Sequence, residues 1–206
     1  VDDGNQTGAI PTNQLSAQQA KDDPLAYVYL PYENQGTIFA SGVDFALQFK
    51  DKISGWGSYG VNFEGTLTTR HGYQYAGASS VSDLGVYGDF GVTPRWRHAL
   101  TFTTTVGNWN GSLTQNFTSS YQDYNGTETI SASYPATRTV SANQVWDGQL
   151  GYRGVKNLEL IGGIKNLFDK APPLSRNELF FQTGYDSQYA SPLGRTYYLR
   201  LKYKFL

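Results

Sequence analysis

The sequence predicts an all-β protein, an antiparallel β-barrel that crosses a membrane with its strands. Three observations indicate this fold class. Apolar and polar side chains alternate along seven segments, aromatic side chains gather at both ends of the apolar faces, and short connections alternate with long ones. A soluble β-sandwich also has alternating strands and is the alternative fold, but it has no reason to alternate its connection lengths.

The composition suits strands and turns. The chain has 206 residues, of which 23 are Gly, and aromatic residues make up 15%. Charged residues make up only 16%, well below the roughly 25% of soluble domains. The formal net charge of −1 gives no basic field for nucleic acid, and the lack of Cys excludes a disulfide scaffold, a thiolate metal site and a cysteine nucleophile.

Seven segments have the two-residue period of a strand, with one apolar and one polar face. The last is the clearest, because Tyr197, Leu199 and Leu201 alternate with Arg200 and Lys202. The polar faces carry mainly Thr, Asn, Gln and Ser, as a water-filled or plugged lumen requires. The predicted strands are residues 37–50, 58–70, 96–106, 109–121, 145–152, 158–167 and 195–205.

Aromatic side chains are expected at the two membrane interfaces, where an amphipathic ring is favoured. One predicted interface has Phe49, Trp56, Trp109, Tyr152 and Phe205, and the other has Tyr73, Trp96, Tyr121 and Tyr197.

The connections give the orientation. The short ones are 51–57, 107–109 and 153–157, and the long ones are 71–95, 122–144 and 168–194. Outer-membrane barrels have short periplasmic turns and long extracellular loops, so a last strand that ends at the periplasm places the start of the chain outside the cell. We therefore predict an extracellular loop segment over residues 1–26 and barrel over 27–206. A first strand kinked near 34–36 is preferred to a separate crossing at 27–33.

Two motifs near the C-terminal end carry a family resemblance. Residues 163–170 read Gly-Ile-Lys-Asn-Leu-Phe-Asp-Lys, and residues 193–205 begin Leu-Gly-Arg-Thr-Tyr-Tyr and end Tyr-Lys-Phe. Together with weaker matches at 34–44 and 93–98, they resemble, in order, the strand ends of the TonB-dependent receptors of Gram-negative outer membranes.

The resemblance implies a 22-stranded barrel with a plug in its lumen, of which this chain is a C-terminal fragment of about seven strands. It implies import of a scarce nutrient across the outer membrane, most often a ferric siderophore, with energy supplied through TonB. The implied partners are the remaining N-terminal strands and plug of the same receptor, TonB through that missing part, outer-membrane lipid and a small-molecule ligand. We expect no enzymatic activity, no cofactor and no nucleic-acid partner.

Two groups of residues are candidates for the site. Charged side chains on the polar faces are expected to line the lumen, forming salt bridges or a transport path; they are Asp44, Glu64, Arg70, Arg97 and Asp147. Aromatic and Arg side chains of the long loops are expected to bind ligand by stacking and charge-assisted hydrogen bonds. These are Tyr73, Tyr75, Tyr87, Tyr124, Arg138, Arg176, Phe181, Tyr185 and Tyr189.

Several alternatives stay open. The loop side chains could bind a glycan almost as well as a siderophore, or could only pack loop against loop. A passive porin-type barrel and a soluble sandwich that binds a ligand are further alternatives. His71 and His98, the two histidines, have no second imidazole or carboxylate at ligand spacing, so we expect no metal site and no catalytic residue.

Overall fold

The computed structural model describes residues 36–88, 91–123, 138–176 and 183–205. These ranges are all-β and mostly antiparallel. They contain no helix, and hence none long and apolar enough to cross a membrane. The predicted boundary between residues 26 and 27 lies outside the described ranges. Of the predicted kink at 34–36, only Gly36 is described, as the first residue of β1.

Seven long strands form one sheet in chain order, each antiparallel to the one before it. This confirms the seven predicted strands and their order. Three two-residue strands lie in the connections, with β3 paired to β2 and β6 paired to β7. The strands are β1 (Gly36–Ile53), β2 (Gly57–Tyr75), β3 (Val81–Ser82), β4 (Trp96–Val106), β5 (Trp109–Thr118), β6 (Tyr121–Gln122), β7 (Thr139–Val140), β8 (Asn143–Val155), β9 (Leu158–Lys165) and β10 (Thr196–Tyr203).

Connection lengths alternate as predicted. The turns after β1, β4 and β8 span only 54–56, 107–108 and 156–157, whereas the long strands are otherwise joined by 76–95, 119–142 and 166–195. Each short turn contains a left-handed residue, at Gly55, Gly107 and Asn157, which a tight hairpin needs. All short turns therefore lie at one end of the sheet and all long connections at the other.

One face of the sheet is apolar across all seven long strands. Phe63 of β2, for example, is paired with Leu47 of β1 and Leu100 of β4. These side chains are not covered: Leu47 is 68% exposed and Leu199 of β10 is 77% exposed. The apolar face includes Phe45, Leu47, Phe49, Val61, Phe63, Leu100, Phe102, Leu113, Leu150, Leu160, Leu199 and Leu201.

The opposite face is polar. Asp44 is paired with Thr66, and Thr66 with Arg97, so the three side chains form one row across β1, β2 and β4. The Thr66 hydroxyl donates a hydrogen bond to Asp44 at 2.7 Å. Glu64 and Asp147 share this face by the same register.

A β-bulge at Thr69 changes the faces of β2. Ser41 is paired with Arg70 and the next residue, Gly42, with Thr68, so Thr69 is an extra residue on β2. Beyond it the alternation is inverted. Arg70 therefore lies on the apolar face, with its guanidinium 4.3 Å from the centroid of the Phe39 ring, and not on the polar face where plain alternation places it.

Aromatic rings cluster at both ends of the apolar face. At the long-connection end, Trp96 lies 6.0 Å from Phe45 between ring centroids, and at the short-turn end Trp109 lies 4.6 Å from Tyr152. Tyr121, predicted for an interface, is buried instead, since β5 ends at Thr118 and Tyr121 belongs to β6. Tyr73 is buried too, because the bulge turns it toward the polar face.

Candidate functional site

The three long connections pack together into a structure we call the loop cap, formed by the described parts of 76–95, 119–142 and 166–195. Its core is Tyr87, Val92, Tyr121 and Val140, with Tyr189 packed against it. Hydrogen bonds join the connections: the Tyr87 amide donates to the Gln122 carbonyl at 3.0 Å, and the Tyr189 hydroxyl donates to the Val92 carbonyl at 2.7 Å. The buried apolar core of the described residues thus lies in the loops, not on the sheet.

A buried carboxylate joins the second and third connections. Asp123 is 3% exposed and accepts hydrogen bonds from the Ser175 hydroxyl at 2.7 Å and from the Arg176 amide at 3.1 Å. The Arg138 guanidinium lies 3.7 Å from the same carboxylate and donates a further hydrogen bond to the Leu174 carbonyl. A buried charge is tolerated only with such partners, so this network fixes how the two connections meet.

A second carboxylate attaches the first connection to β2. Asp83 is 4% exposed, and its Oδ1 lies 2.6 Å from Nδ1 of His71. The Thr93 hydroxyl lies 3.0 Å from the same nitrogen. No pattern in the sequence indicates this pair, because 12 residues separate His71 from Asp83 and a loop contact has no periodic signal.

An open cavity of about 770 Å³ lies on the polar face, beneath residues 187–191 of the loop cap. Glu64, Arg97 and Asn116 line it from the sheet, and Gln188 and Tyr189 line it from the cap. Its volume falls within the roughly 300–1,000 Å³ of small-molecule sites. The cavity is the candidate site.

Charge and hydrogen bonding in the cavity favour a polar ligand. The Arg97 guanidinium lies 5.3 Å from the Tyr189 ring centroid, a cation–π contact that positions both groups at the cavity wall. A neighbouring cavity of about 250 Å³ is lined by Asp147, Lys165 and Lys170. The two cavities share Asn143 and Ala190, among other residues, so the polar surface is continuous.

Burial changes the protonation behaviour of the cap. It raises the pKa of the Asp186 carboxyl, and the neighbouring Asp123 charge raises it further. Burial also raises the pKa of Tyr87, Tyr121 and Tyr189, and Asp186 adds to each of these shifts. The three tyrosines therefore stay protonated and remain hydrogen-bond donors well into the alkaline range.

The structure brings together only some of the predicted site residues. Glu64, Arg97 and Tyr189 meet at the large cavity, and Asp147 lies at the smaller one. Asp44 lies on the same face.

The remaining predicted loop residues have other positions. Tyr73 and Tyr87 are buried in the cap, and Arg138 is engaged with Asp123. Arg176 is partly buried and Tyr185 half-buried, whereas Tyr75 is 44% exposed. Tyr124 and Phe181 lie outside the described ranges.

The family-like motifs form the turn after β9. Asn166 is left-handed and buried, its Oδ1 accepts a hydrogen bond from the Lys170 amide at 2.8 Å, and its Nδ2 donates to the Lys170 carbonyl. Asp169 accepts a hydrogen bond from the Arg195 amide at 2.7 Å. The two motifs therefore contact each other at the long-connection end. Their residues do not line the large cavity, but Lys165, Asn166 and Lys170 line the smaller one.

Within the described ranges no group of three or more His, Cys, Asp or Glu side chains could hold a metal ion. A scan of protein-family models finds no match to the chain, and a search of curated protein sequences finds none either.

Proposed function

We propose that this chain is part of an outer-membrane β-barrel that imports a scarce small molecule with energy supplied through TonB, and that the ligand is a ferric siderophore. The observation that carries the membrane part is the apolar face. It runs over seven strands with side chains such as Leu199 77% exposed, opposite a polar face that bears a cavity. An apolar surface of this extent is unfavourable in water and favourable against lipid.

The loops and aromatic rings support the same proposal. Long connections packed into a cap at one end and tight turns at the other are typical of outer-membrane barrels. Rings gathered at both ends of the apolar face suit the two membrane interfaces.

The cavities support the choice of ligand. A ferric siderophore presents anionic oxygens and planar groups, for which Arg97, Lys165, Lys170 and the Tyr189 ring are suitable partners. The energised mechanism and the role of TonB rest on the family resemblance of residues 163–170 and 193–205.

The membrane part is tested by fractionation and by solubility. We expect the protein in the outer-membrane fraction and aggregated when detergent is removed. A preparation that stays monodisperse without detergent or lipid would contradict a membrane barrel.

The transport part is tested by uptake of radiolabelled ferric siderophores of the catecholate and hydroxamate classes. Cells carrying the wild-type protein should accumulate label only while TonB is present. Arg97→Ala should reduce uptake about tenfold or more, in line with the loss of a charged hydrogen-bonding group. Arg153→Ala is the matched control, because Arg153 pairs with Glu159 near a short turn, away from the cavity.

The outcomes separate the candidate functions. Uptake of oligosaccharides instead of siderophores, with the same TonB dependence, would replace the ligand with a glycan. Flux that persists without TonB would indicate a passive porin and overturn energised import.

A further inference from the structure

A third, much smaller cavity lies inside the loop cap. Its volume is about 10 Å³, room for a single water-sized sphere. It is surrounded by the end of β5, the start of β8 and the second and third long connections, and most of the lining side chains carry oxygen. The oxygen-bearing side chains include Thr118, Ser119, Ser141, Asn143 and Asp186.

Two buried oxygens of the lining residues have no hydrogen-bond partner within the described part of the chain. They are Oδ1 of Asn143 and Oδ2 of Asp186. Both are acceptors, and the Asp186 residue is only 3% exposed. An unsatisfied buried acceptor is costly, and both of these oxygens belong to residues that line the same cavity.

The other atom of each group is held in place. Oδ1 of Asp186 accepts a hydrogen bond from the Gln188 amide at 2.9 Å, and Nδ2 of Asn143 donates to the Tyr189 carbonyl at 3.2 Å. The backbone carbonyl of Asp186 also accepts from the Tyr189 and Ala190 amides. Both side chains are thereby held in place beside the cavity.

Among the described residues, no Lys, Arg or His side chain forms an ion pair with the Asp186 carboxylate. The ion pairs there join His71 with Asp83, Arg138 with Asp123 and Arg153 with Glu159. A buried carboxylate without a countercharge is strongly unfavourable. A hard cation bound through oxygen atoms would neutralise it and satisfy both acceptors at once.

We propose that this cavity is a calcium-binding site in which Asp186 and Asn143 are protein ligands. Bound Ca²⁺ fastens residues 186–190 to the start of β8. Residues 187–191 also roof the large cavity on the polar face, so cation binding stabilises that roof. One carboxylate among neutral oxygens gives weak binding, with a dissociation constant of roughly 0.1–1 mM.

Terbium luminescence tests the site on the purified full chain in detergent. Tb³⁺ replaces Ca²⁺, and Tyr121 and Tyr189 line the cavity closely enough to sensitise its emission. We expect a saturable signal that Ca²⁺ displaces. Asp186→Asn keeps the shape and removes the charge, and it should weaken Ca²⁺ displacement at least tenfold. Asp51→Asn, an exposed change near a short turn, should bind as the wild type does.

A second measurement guards against misfolding as an explanation. Ca²⁺ should raise the melting temperature of the wild type and of Asp51→Asn. It should not raise that of Asp186→Asn, which should still unfold cooperatively. A wild-type chain without saturable emission overturns the proposal and leaves a buried water or a protonated Asp186 as the explanation. Unchanged binding by Asp186→Asn, or an equal rise in melting temperature for Asp186→Asn and the wild type, overturns it as well.

Discussion

At the scale of single residues, buried carboxylates of the loop cap hold its segments together through hydrogen bonds and ion pairs. Asp123 has a fully buried side chain, and Ser175, Arg176 and Arg138 all contact it across the junction of two connections. Loss of this carboxylate would remove the acceptor of the Ser175 hydroxyl and of the Arg176 amide, which costs stability where such donors are buried.

We predict that Asp123→Ala destabilises the loop cap by about 1–3 kcal/mol, the cost of buried donors left without an acceptor. Limited proteolysis should cut the long connections faster than in the wild type, while the sheet stays protected. Asp51→Ala, an exposed carboxylate removed near a short turn, is the control and should leave the cleavage rate unchanged. Equal rates for Asp123→Ala and the wild type would contradict a structural role for this network.

The Asp186 carboxyl makes stability depend on pH. Burial raises its pKa in the folded chain, so the folded chain holds this proton to higher pH than the unfolded chain does. Its stabilising contribution is fully present below the unfolded pKa and is lost as the pH rises through the raised folded pKa. The carboxyl therefore works against folding at neutral pH when no cation is bound.

We predict that in the presence of a metal chelator Asp186→Asn is more stable than the wild type at neutral pH. The difference in melting temperature should shrink as the pH falls, because the wild-type carboxyl then becomes neutral as well. This difference in melting temperature is measured by thermal unfolding of both proteins in chelator at a series of pH values. A difference that is the same at every pH would show that ionisation of Asp186 is not the cause.

At the scale of elements, the long strands were predictable and the loop cap was not. Alternation is a local property, so the face on which a residue such as Phe63 or Leu100 lies can be predicted from its few neighbours in the sequence. The Ser175–Asp123 bond joins residues 52 apart in irregular segments, where nothing periodic marks a partner. The alternation pattern also does not reveal the extra residue of a β-bulge. The predicted faces of Arg70 (polar) and Tyr73 (apolar) are therefore wrong.

The bulge at Thr69 couples β2 to the loop cap. It turns His71 and Tyr73 toward the polar side, where His71 meets Asp83 and Tyr73 is buried. Without the extra residue, the period-two alternation would send both side chains to the apolar face.

We predict that deletion of Thr69 releases the first long connection from β2 and leaves the short-turn half of the sheet intact. Hydrogen–deuterium exchange should rise in residues 76–88 and 91–95 and stay unchanged in β5. Thr69→Ser, which keeps the residue count and the hydroxyl that donates to the Ser41 carbonyl, should exchange as the wild type does. Unchanged protection of 76–88 in the deletion would contradict this role of the bulge.

At the scale of the whole molecule, the height of the apolar face matches a bilayer. Trp96 begins β4 and Val106, paired with Trp109, ends it. These ten steps rise roughly 33 Å along the strand. A tilt of about 40°, usual for membrane barrels, reduces this to about 25 Å, close to the apolar band of outer-membrane proteins. In a barrel of that tilt, the aromatic rings at both ends would stand about one hydrocarbon thickness apart.

Substitutions at two neighbouring residues of β5 test whether lipid or water contacts each face of the sheet. Leu113 lies mid-strand on the apolar face, paired with Phe102, and Thr114 lies beside it on the polar face, paired with Thr101. We predict that Leu113→Arg destabilises the protein in lipid vesicles by about 2–4 kcal/mol, the cost of Arg near the middle of a bilayer. Thr114→Arg should cost about 1 kcal/mol, mainly its hydrogen bond to Thr101.

Urea unfolding from vesicles measures both variants, with the position in the strand held constant and only the face changed. If the apolar face were exposed to water, Arg at position 113 would be tolerated as well as at 114, since a surface substitution there changes stability by only about 0.5 kcal/mol. Equal stabilities of the two variants would therefore refute lipid contact at this face. A large penalty confined to Leu113→Arg would assign lipid to the apolar side and water to the side that carries the cavity.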